Sequence, residues 1–150
     1  MLTYTISLAV YPGLALSLSW FGIDDNWLSV VVVGIWNVFD CLGRFLPNVV
    51  PLISKPTLRL LSVLRLLGLL LVILGMPALG ITYLQQSSWY ALANLSLLGL
   101  SNGIVGTMLM IQGTMHTKDV EVAGYIMAFH LTLGLALGSV VATLLSYVVL

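Results

Sequence analysis

The stretch LLGLLLVIL, from Leu66 to Leu74, decides the fold class because it is apolar on every face. It opens a segment that runs to Thr117 and contains no Asp, Glu, Lys or Arg. A helix that crosses the hydrocarbon core needs about 20 mostly apolar residues, so this segment must fold back and cross twice. A strand of a membrane barrel would instead alternate apolar and polar residues over about ten positions. We therefore predict an all-α protein, a polytopic bundle of transmembrane helices.

The composition of the whole chain excludes several classes of protein. Of its 150 residues, 60% are hydrophobic and 7% are charged, whereas ordinary soluble domains carry roughly a quarter charged residues. A soluble monomer is therefore excluded. The formal net charge is zero, which leaves no basic face for a nucleic acid. The single cysteine, Cys41, excludes an internal disulfide and a cysteine-based metal site, and we expect neither a metal nor a cofactor.

Five apolar segments are each long enough to form a membrane-spanning helix. The connections between them contain prolines, glycines or polar residues, which end helices or are costly inside lipid. We expect the five helices to form one membrane domain over residues 1–150. The predicted spans are Leu2–Phe21, Trp27–Leu46, Leu58–Leu79, Trp89–Gly113 and Val122–Leu150.

Positive charges flank the predicted connections on one side of the bundle. Lys55 and Arg59 flank the second connection and Lys118 lies in the fourth, whereas the first carries Asp24 and Asp25 instead. Because cytoplasmic connections are enriched in Lys and Arg, we expect the N-terminus inside and the end of the chain outside. We expect the plasma membrane as the location, with an organelle membrane as the alternative.

Polar residues form a stripe on one face of the second span. Asn37, Asp40 and Arg44 are spaced i, i+3 and i+7, which places them above one another on a helix. An ionisable residue at membrane depth costs about 2.5–3.5 kcal/mol on insertion scales. Arg44 could snorkel to the cytoplasmic surface with Asp40 as a local partner. However, Asp40 lies about 9 Å inside the helix end and Asn37 lies deeper still, which favours a water-lined or substrate-facing stripe.

Arg65 is a further charge within the membrane, about 10 Å into the third span. Antiparallel neighbouring helices would bring it level with Asp40. An ion pair that fixes helix packing is the favoured explanation, with a gating role as the alternative. Asp40, Arg44 and Arg65 sum to a charge of +1, which leaves room for an electronegative partner, either another helix or a substrate.

Two pairs of glycines have the spacing that lets helices approach closely. Gly99 and Gly103 form one G-x-x-x-G pattern, and Gly134 and Gly138 form the other. We expect both pairs to lie at helix–helix interfaces.

A serine and a histidine raise the possibility of an intramembrane protease. Ser101 lies within a G-x-S-x-G pattern and His130 lies on the next span. Their depths differ, because Ser101 is about 19 Å and His130 about 12 Å from the cytoplasmic ends of their spans. We therefore predict no catalytic residues and no enzyme activity. His130 alone fits either a hydrogen-bonded residue of the bundle or a proton carrier.

Several of these segments together resemble the C-terminal five helices of the equilibrative nucleoside transporters. The resemblance spans essentially the whole chain, and its most specific parts are an Asn-x-x-Asp-x-x-Gly-Arg pattern and a Gly-Leu-Ala-Leu-Gly run. The matching segments are Tyr11–Gly13, Asn37–Arg44, the Arg-Leu stretch at Arg65, Leu100–Gly103, Ala123–Phe129 and Leu133–Gly138.

The resemblance implies a solute carrier similar to the major facilitator fold, which moves nucleosides, sometimes nucleobases, by alternating access without ATP. In that family, residues matching Asn37, Asp40 and Arg44 line the central cavity. Leu135 matches a residue that packs near the substrate. Val33 takes a position where some members carry a bulkier aromatic contact, so the resemblance does not extend to base stacking there.

The resemblance also implies partners for the chain. The family has six N-terminal helices that supply the other half of the cavity, and we expect a six-helix half of this kind to complete the protein in the lipid bilayer. Some members couple transport to protons, for which His130 is the candidate here. The alternative function is that of a non-transporting membrane subunit, whose intramembrane charges only fix helix packing.

Overall fold

The computed structural model describes residues 2–11, 25–49, 54–74, 88–115 and 119–149. Within these ranges every regular element is a helix, so the all-α prediction is confirmed. A short 3-10 turn, Leu46–Asn48, follows the second helix. The helices are α1 (Leu2–Ala9), α2 (Asp25–Phe45), α3 (Lys55–Leu74), α4 (Ser88–Met115) and α5 (Val120–Val149).

Four segments of the described chain are long and apolar enough to cross a membrane: Trp27–Asn48, Lys55–Leu74, Trp89–Met115 and Val120–Leu144. They overlap the second to fifth predicted spans, and the chain is a multi-pass integral membrane protein. Of the first predicted span, only residues 2–11 are described and the remainder lies outside the described residues. The same holds for the end of the third predicted span, after residue 74.

The start of α3 was predicted too late. The sequence pattern placed it at Leu58, but the helix begins at Lys55, and the Leu58 N–H donates to the Ser54 carbonyl at 3.0 Å. Pro56 is the second residue of this helix. A proline in the first turn of a helix costs no internal hydrogen bond, since the N–H that it lacks would have no partner within the helix.

The glycine pair of α4 brings that helix into close contact with α2. A Cβ atom on Gly103 would collide with the Asp40 carbonyl oxygen, and one on Gly99 would lie 3.1 Å from the Trp36 carbonyl oxygen. On the facing helix, a Cβ atom on Gly43 would collide with the backbone of α4. The predicted use of this pair in packing is confirmed. Because the two backbones touch here, Asn102, which lies beside Gly103 on α4, is held against the polar stripe of α2.

The second glycine pair packs α5 against α1. A Cβ atom on Gly138 would lie 2.6 Å from the Thr5 carbonyl oxygen and 2.8 Å from the Leu8 Cβ, and Gly134 is buried. This interface therefore also forms as predicted, and it places α1 beside α5. Many large apolar side chains of α3 and α5 point outward, as expected for helices whose solvent is lipid.

Candidate functional site

A cavity of about 310 Å³ lies between α1, α2, α4 and α5. Its wall is polar along α2 and apolar along α5. The residues that line it are Tyr4, Ser7, Leu8 and Tyr11 near α1, Trp36, Asn37, Asp40 and Arg44 on α2, Asn102 on α4, and Leu131 and Leu135 on α5.

Asp40 and Arg44 form an ion pair within this wall. Arg44 Nε donates to Asp40 Oδ2 at 2.8 Å across one turn of α2. The Asp40 side chain is 14% exposed, whereas that of Arg44 is 59% exposed. This bond uses only the Nε–H of the guanidinium. The carboxylate is therefore the shielded partner, and the terminal nitrogens of Arg44 are the accessible donors.

Asn102 completes the surroundings of the carboxylate from the neighbouring helix. Its Nδ2 donates to Asp40 Oδ1 at 2.7 Å, and its Oδ1 accepts from Arg65 Nη1 at 3.0 Å. The side chain is almost fully buried. The prediction of site residues missed Asn102, although its place between Gly99 and Gly103 indicates a helix–helix interface and could have pointed to it.

Arg65 lies on the far side of Asn102 from Asp40. It is 3% exposed, and its second terminal nitrogen, Nη2, donates to Ser7 Oγ at 2.8 Å. Within the described residues its hydrogen bonds go to neutral oxygens, and Asn102 stands where a direct ion pair with Asp40 had been expected. Asp40 on α2 and Arg65 on α3 are thus connected through the side-chain amide of Asn102.

Of the remaining predicted substrate-binding residues, two line this cavity and one does not. Asn37 and Leu135 line the cavity together with Asp40 and Arg44. Val33 is half-buried one turn before Asn37 on α2, and it is not part of the lining. At the Asn37 end of the cavity, the rings of Tyr11 and Trp36 stack with centroids 5.0 Å apart and an interplanar angle of 8°.

His130 and Ser101 lie in different parts of the bundle. His130 is exposed on α5, with Nδ1 2.7 Å from the Ile126 carbonyl oxygen, and it borders a separate cavity of about 200 Å³ that shares Tyr4 and Leu131 with the first. Ser101 donates to the Leu98 carbonyl at 2.9 Å and borders a cavity between α3 and α4. The structure does not bring the two side chains together. In the described ranges, no group of three His, Cys, Asp or Glu side chains could hold a metal.

Comparison with known proteins places this architecture in a family. The family model described as nucleoside transporter matches residues 1–147. Equilibrative nucleoside transporter 4 of Homo sapiens is 33% identical over 143 residues, which cover 93% of this chain and 26% of that protein. Its Danio rerio counterpart is 30% identical over 93% of this chain and 27% of its own length. Equilibrative nucleotide transporter 2 of Arabidopsis thaliana is 35% identical over 68% of this chain and 23% of its own length.

These relatives are much longer than the chain, which spans about a quarter of their length. No solved structure gave a significant match. The family match nevertheless runs over almost all of the sequence, from residue 1 to residue 147. The chain therefore belongs to the nucleoside transporter family, a family of transporters and not of enzymes.

Proposed function

We propose that the cavity is part of the substrate path of a nucleoside transporter, and that a nucleoside or nucleobase binds there against Asn37, Asp40 and Arg44. The observation that carries this proposal is the Asp40–Arg44 pair, which lines an open cavity at membrane depth instead of being sealed between helices. Several relatives bear the name nucleoside transporter. Ionisable groups within membrane spans commonly mark substrate pathways.

The chemistry of the wall suits a nucleoside. A carboxylate can accept hydrogen bonds from both hydroxyl groups of a ribose diol, and a guanidinium offers several directed donors to ring or sugar oxygens. Leu131 and Leu135 form an apolar surface opposite these groups. The volume of the cavity is near the lower end of the range of about 300–1,000 Å³ typical of small-molecule sites.

The proposal extends to how the chain works within a larger protein. We place these helices in the C-terminal half of a transporter, with a six-helix N-terminal half that closes the open side of the cavity. Alternating access would follow from rocking of the two halves about the substrate. Val33, one turn beyond the cavity lining, would meet the substrate only in another state of that cycle.

The test of this function is nucleoside uptake in transport-deficient cells that express the complete reading frame containing this chain. Asp40→Asn keeps the shape of the side chain but removes its charge. We expect it to lower the uptake of a ribonucleoside by at least about tenfold, because a hydrogen bond to a charged group contributes about 1.5–3 kcal/mol. Abundance at the membrane should stay near normal.

The matched control is Asp119→Asn, which removes an exposed carboxylate just before α5 and should leave uptake unchanged. A fall in abundance in proportion to uptake for Asp40→Asn would instead support the second candidate function, a non-transporting membrane subunit. That candidate is favoured by Arg65, because its two hydrogen bonds among the described residues join α3 to α4 and α1.

A further inference from the structure

A chain of buried hydrogen bonds connects the proposed substrate site to a charge outside it. The chain runs from Asp40 through Asn102 to Arg65, and from Arg65 to Ser7. It joins α1, α2, α3 and α4. Asn102 and Ser7 are each 7% exposed. A buried guanidinium is costly unless its hydrogen bonds are made. Among the described residues, Nη1 and Nη2 of Arg65 have partners and Nε has none, so the presence of Arg65 here calls for an explanation beyond helix packing.

The order of donors and acceptors along these hydrogen bonds is fixed, and Arg65 fixes it. An amide could turn either its oxygen or its nitrogen toward Asp40, but a guanidinium has donors only. Since Arg65 Nη1 lies 3.0 Å from the Asn102 side chain, that end of the amide must be the oxygen. The nitrogen must therefore face Asp40, where it donates to Oδ1 at 2.7 Å.

Ser7 supports the same direction from α1. Its hydroxyl oxygen accepts from Arg65 Nη2 at 2.8 Å, so its own proton must point elsewhere. Acceptors for that proton are the Thr3 carbonyl oxygen at 2.8 Å and Asn102 Oδ1 at 2.5 Å. Two different nitrogens of one guanidinium thus donate to two helices, in a rigid planar fork that a lysine ammonium does not have.

The result at Asp40 is a carboxylate held on both sides. Oδ1 accepts from Asn102 and Oδ2 accepts from Arg44 Nε. Donors on both oxygens fix the rotation of the carboxylate plane. Asp40 lines the cavity, so the orientation of its carboxylate there depends on Asn102 as well as on Arg44.

We propose that Arg65 is a positioning residue of the substrate site, which acts through Asn102 to hold the Asp40 carboxylate correctly oriented for the hydroxyl groups of a ribose. The proposal rests on the proposed function, since it presumes that the substrate touches Asp40. Arg65 itself does not line this cavity.

The test compares uptake of a ribonucleoside with that of its 2′,3′-dideoxy analogue, again in the complete reading frame. This ratio reports the recognition of the sugar hydroxyl groups, and a loss of abundance alone would not move it. We expect Asn102→Leu and Arg65→Lys each to lower the ratio by about tenfold, the effect of misplacing one charge-assisted hydrogen bond. Ser7→Ala should lower it by a smaller factor, since Arg65 keeps its bond to Asn102.

Matched controls exist on the same two helices. Asn94→Leu replaces an equally buried asparagine of α4 that borders a different cavity, and Arg59→Lys changes an exposed arginine of α3. Both should keep the ratio. An unchanged ratio in Asn102→Leu, or the same fall in Asn94→Leu, would overturn the proposal. If Arg65→Lys does not accumulate in the membrane, the other two variants provide the test. An unchanged uptake ratio in both Ser7→Ala and Asn102→Leu would then overturn the proposal.

Asp40→Asn separates this proposal from the one it rests on. If Asp40→Asn leaves the ratio unchanged, the proposed contact between the substrate and Asp40 is wrong. If Asp40→Asn lowers the ratio and Asn102→Leu does not, the contact stands and only the role of Arg65 and Asn102 is wrong.

Discussion

The two side chains of the α2 ion pair differ in how far they are exposed. Asp40 is mostly covered, whereas more than half of the Arg44 side chain is accessible. Arg44 is therefore the more accessible member of the pair. This exposure suits a guanidinium, which stays charged at any accessible pH and is less strongly hydrated than a lysine ammonium.

His130 is a single side chain on α5 that borders the smaller cavity, next to the proposed substrate site. In the neutral ring, Nδ1 must carry the proton that it donates to the Ile126 carbonyl, which leaves Nε2 as the atom that can take up another. If transport is proton-coupled through this atom, His130→Gln should abolish the stimulation of nucleoside uptake by acidic medium and leave uptake at neutral pH nearly unchanged. Uptake measured between pH 5.5 and 7.5 is the check. Acid stimulation that persists in the variant would assign His130 to packing alone.

At the scale of the elements, the contact between α2 and α4 is what builds the site. Asn102 reaches Asp40 because the glycines on both helices let their backbones touch. Close approach through small residues is a main source of helix association in membranes, where lipid supplies no hydrophobic driving force between helices. The polar contacts of the site therefore depend on residues that have no side chain.

This dependence predicts the effect of adding one methyl group. Gly103→Ala would place a Cβ atom against the Asp40 carbonyl, so the two helices must separate at a cost of about 1–3 kcal/mol. The thermal stability of the protein in detergent should fall, and uptake with it. The control is Gly34→Ala on α2, where nothing lies within 4 Å of the added atom, and which should keep or raise stability. Equal stability of the two variants would contradict this account of the interface.

The sequence allowed much of this interface to be predicted, but not the hydrogen bonds across it. Hydropathy and glycine spacing indicated the helices and both close contacts, because these depend on periodicity along one segment. The start of α3 was misplaced because Pro56 was expected to interrupt a helix, whereas a proline is tolerated in the first turn. Arg65 was expected to lie level with Asp40. Which side chain would stand between them depends on the rotation of α4 about its axis, which spacing within one helix does not determine.

At the scale of the whole molecule, one face of α2 has no cover within the described chain. Arg44 is largely exposed and Asn37 is exposed beside it, at a depth where contact with lipid would cost several kcal/mol. The chain spans about a quarter of its longer relatives. Both observations are explained if further helices of the same protein lie against this face and close the cavity.

This leads to a prediction about the complete reading frame. We expect its transcript to encode six further apolar spans upstream of Met1, and residues 1–150 expressed alone to give no nucleoside uptake. Co-expression of the two parts should restore uptake, because the uncovered polar face of α2 would then be buried against the added helices. The measurement is uptake by each part and by both together, at matched abundance in the membrane. Transport by residues 1–150 alone would show that the cavity is completed in another way, such as by a second copy of the chain.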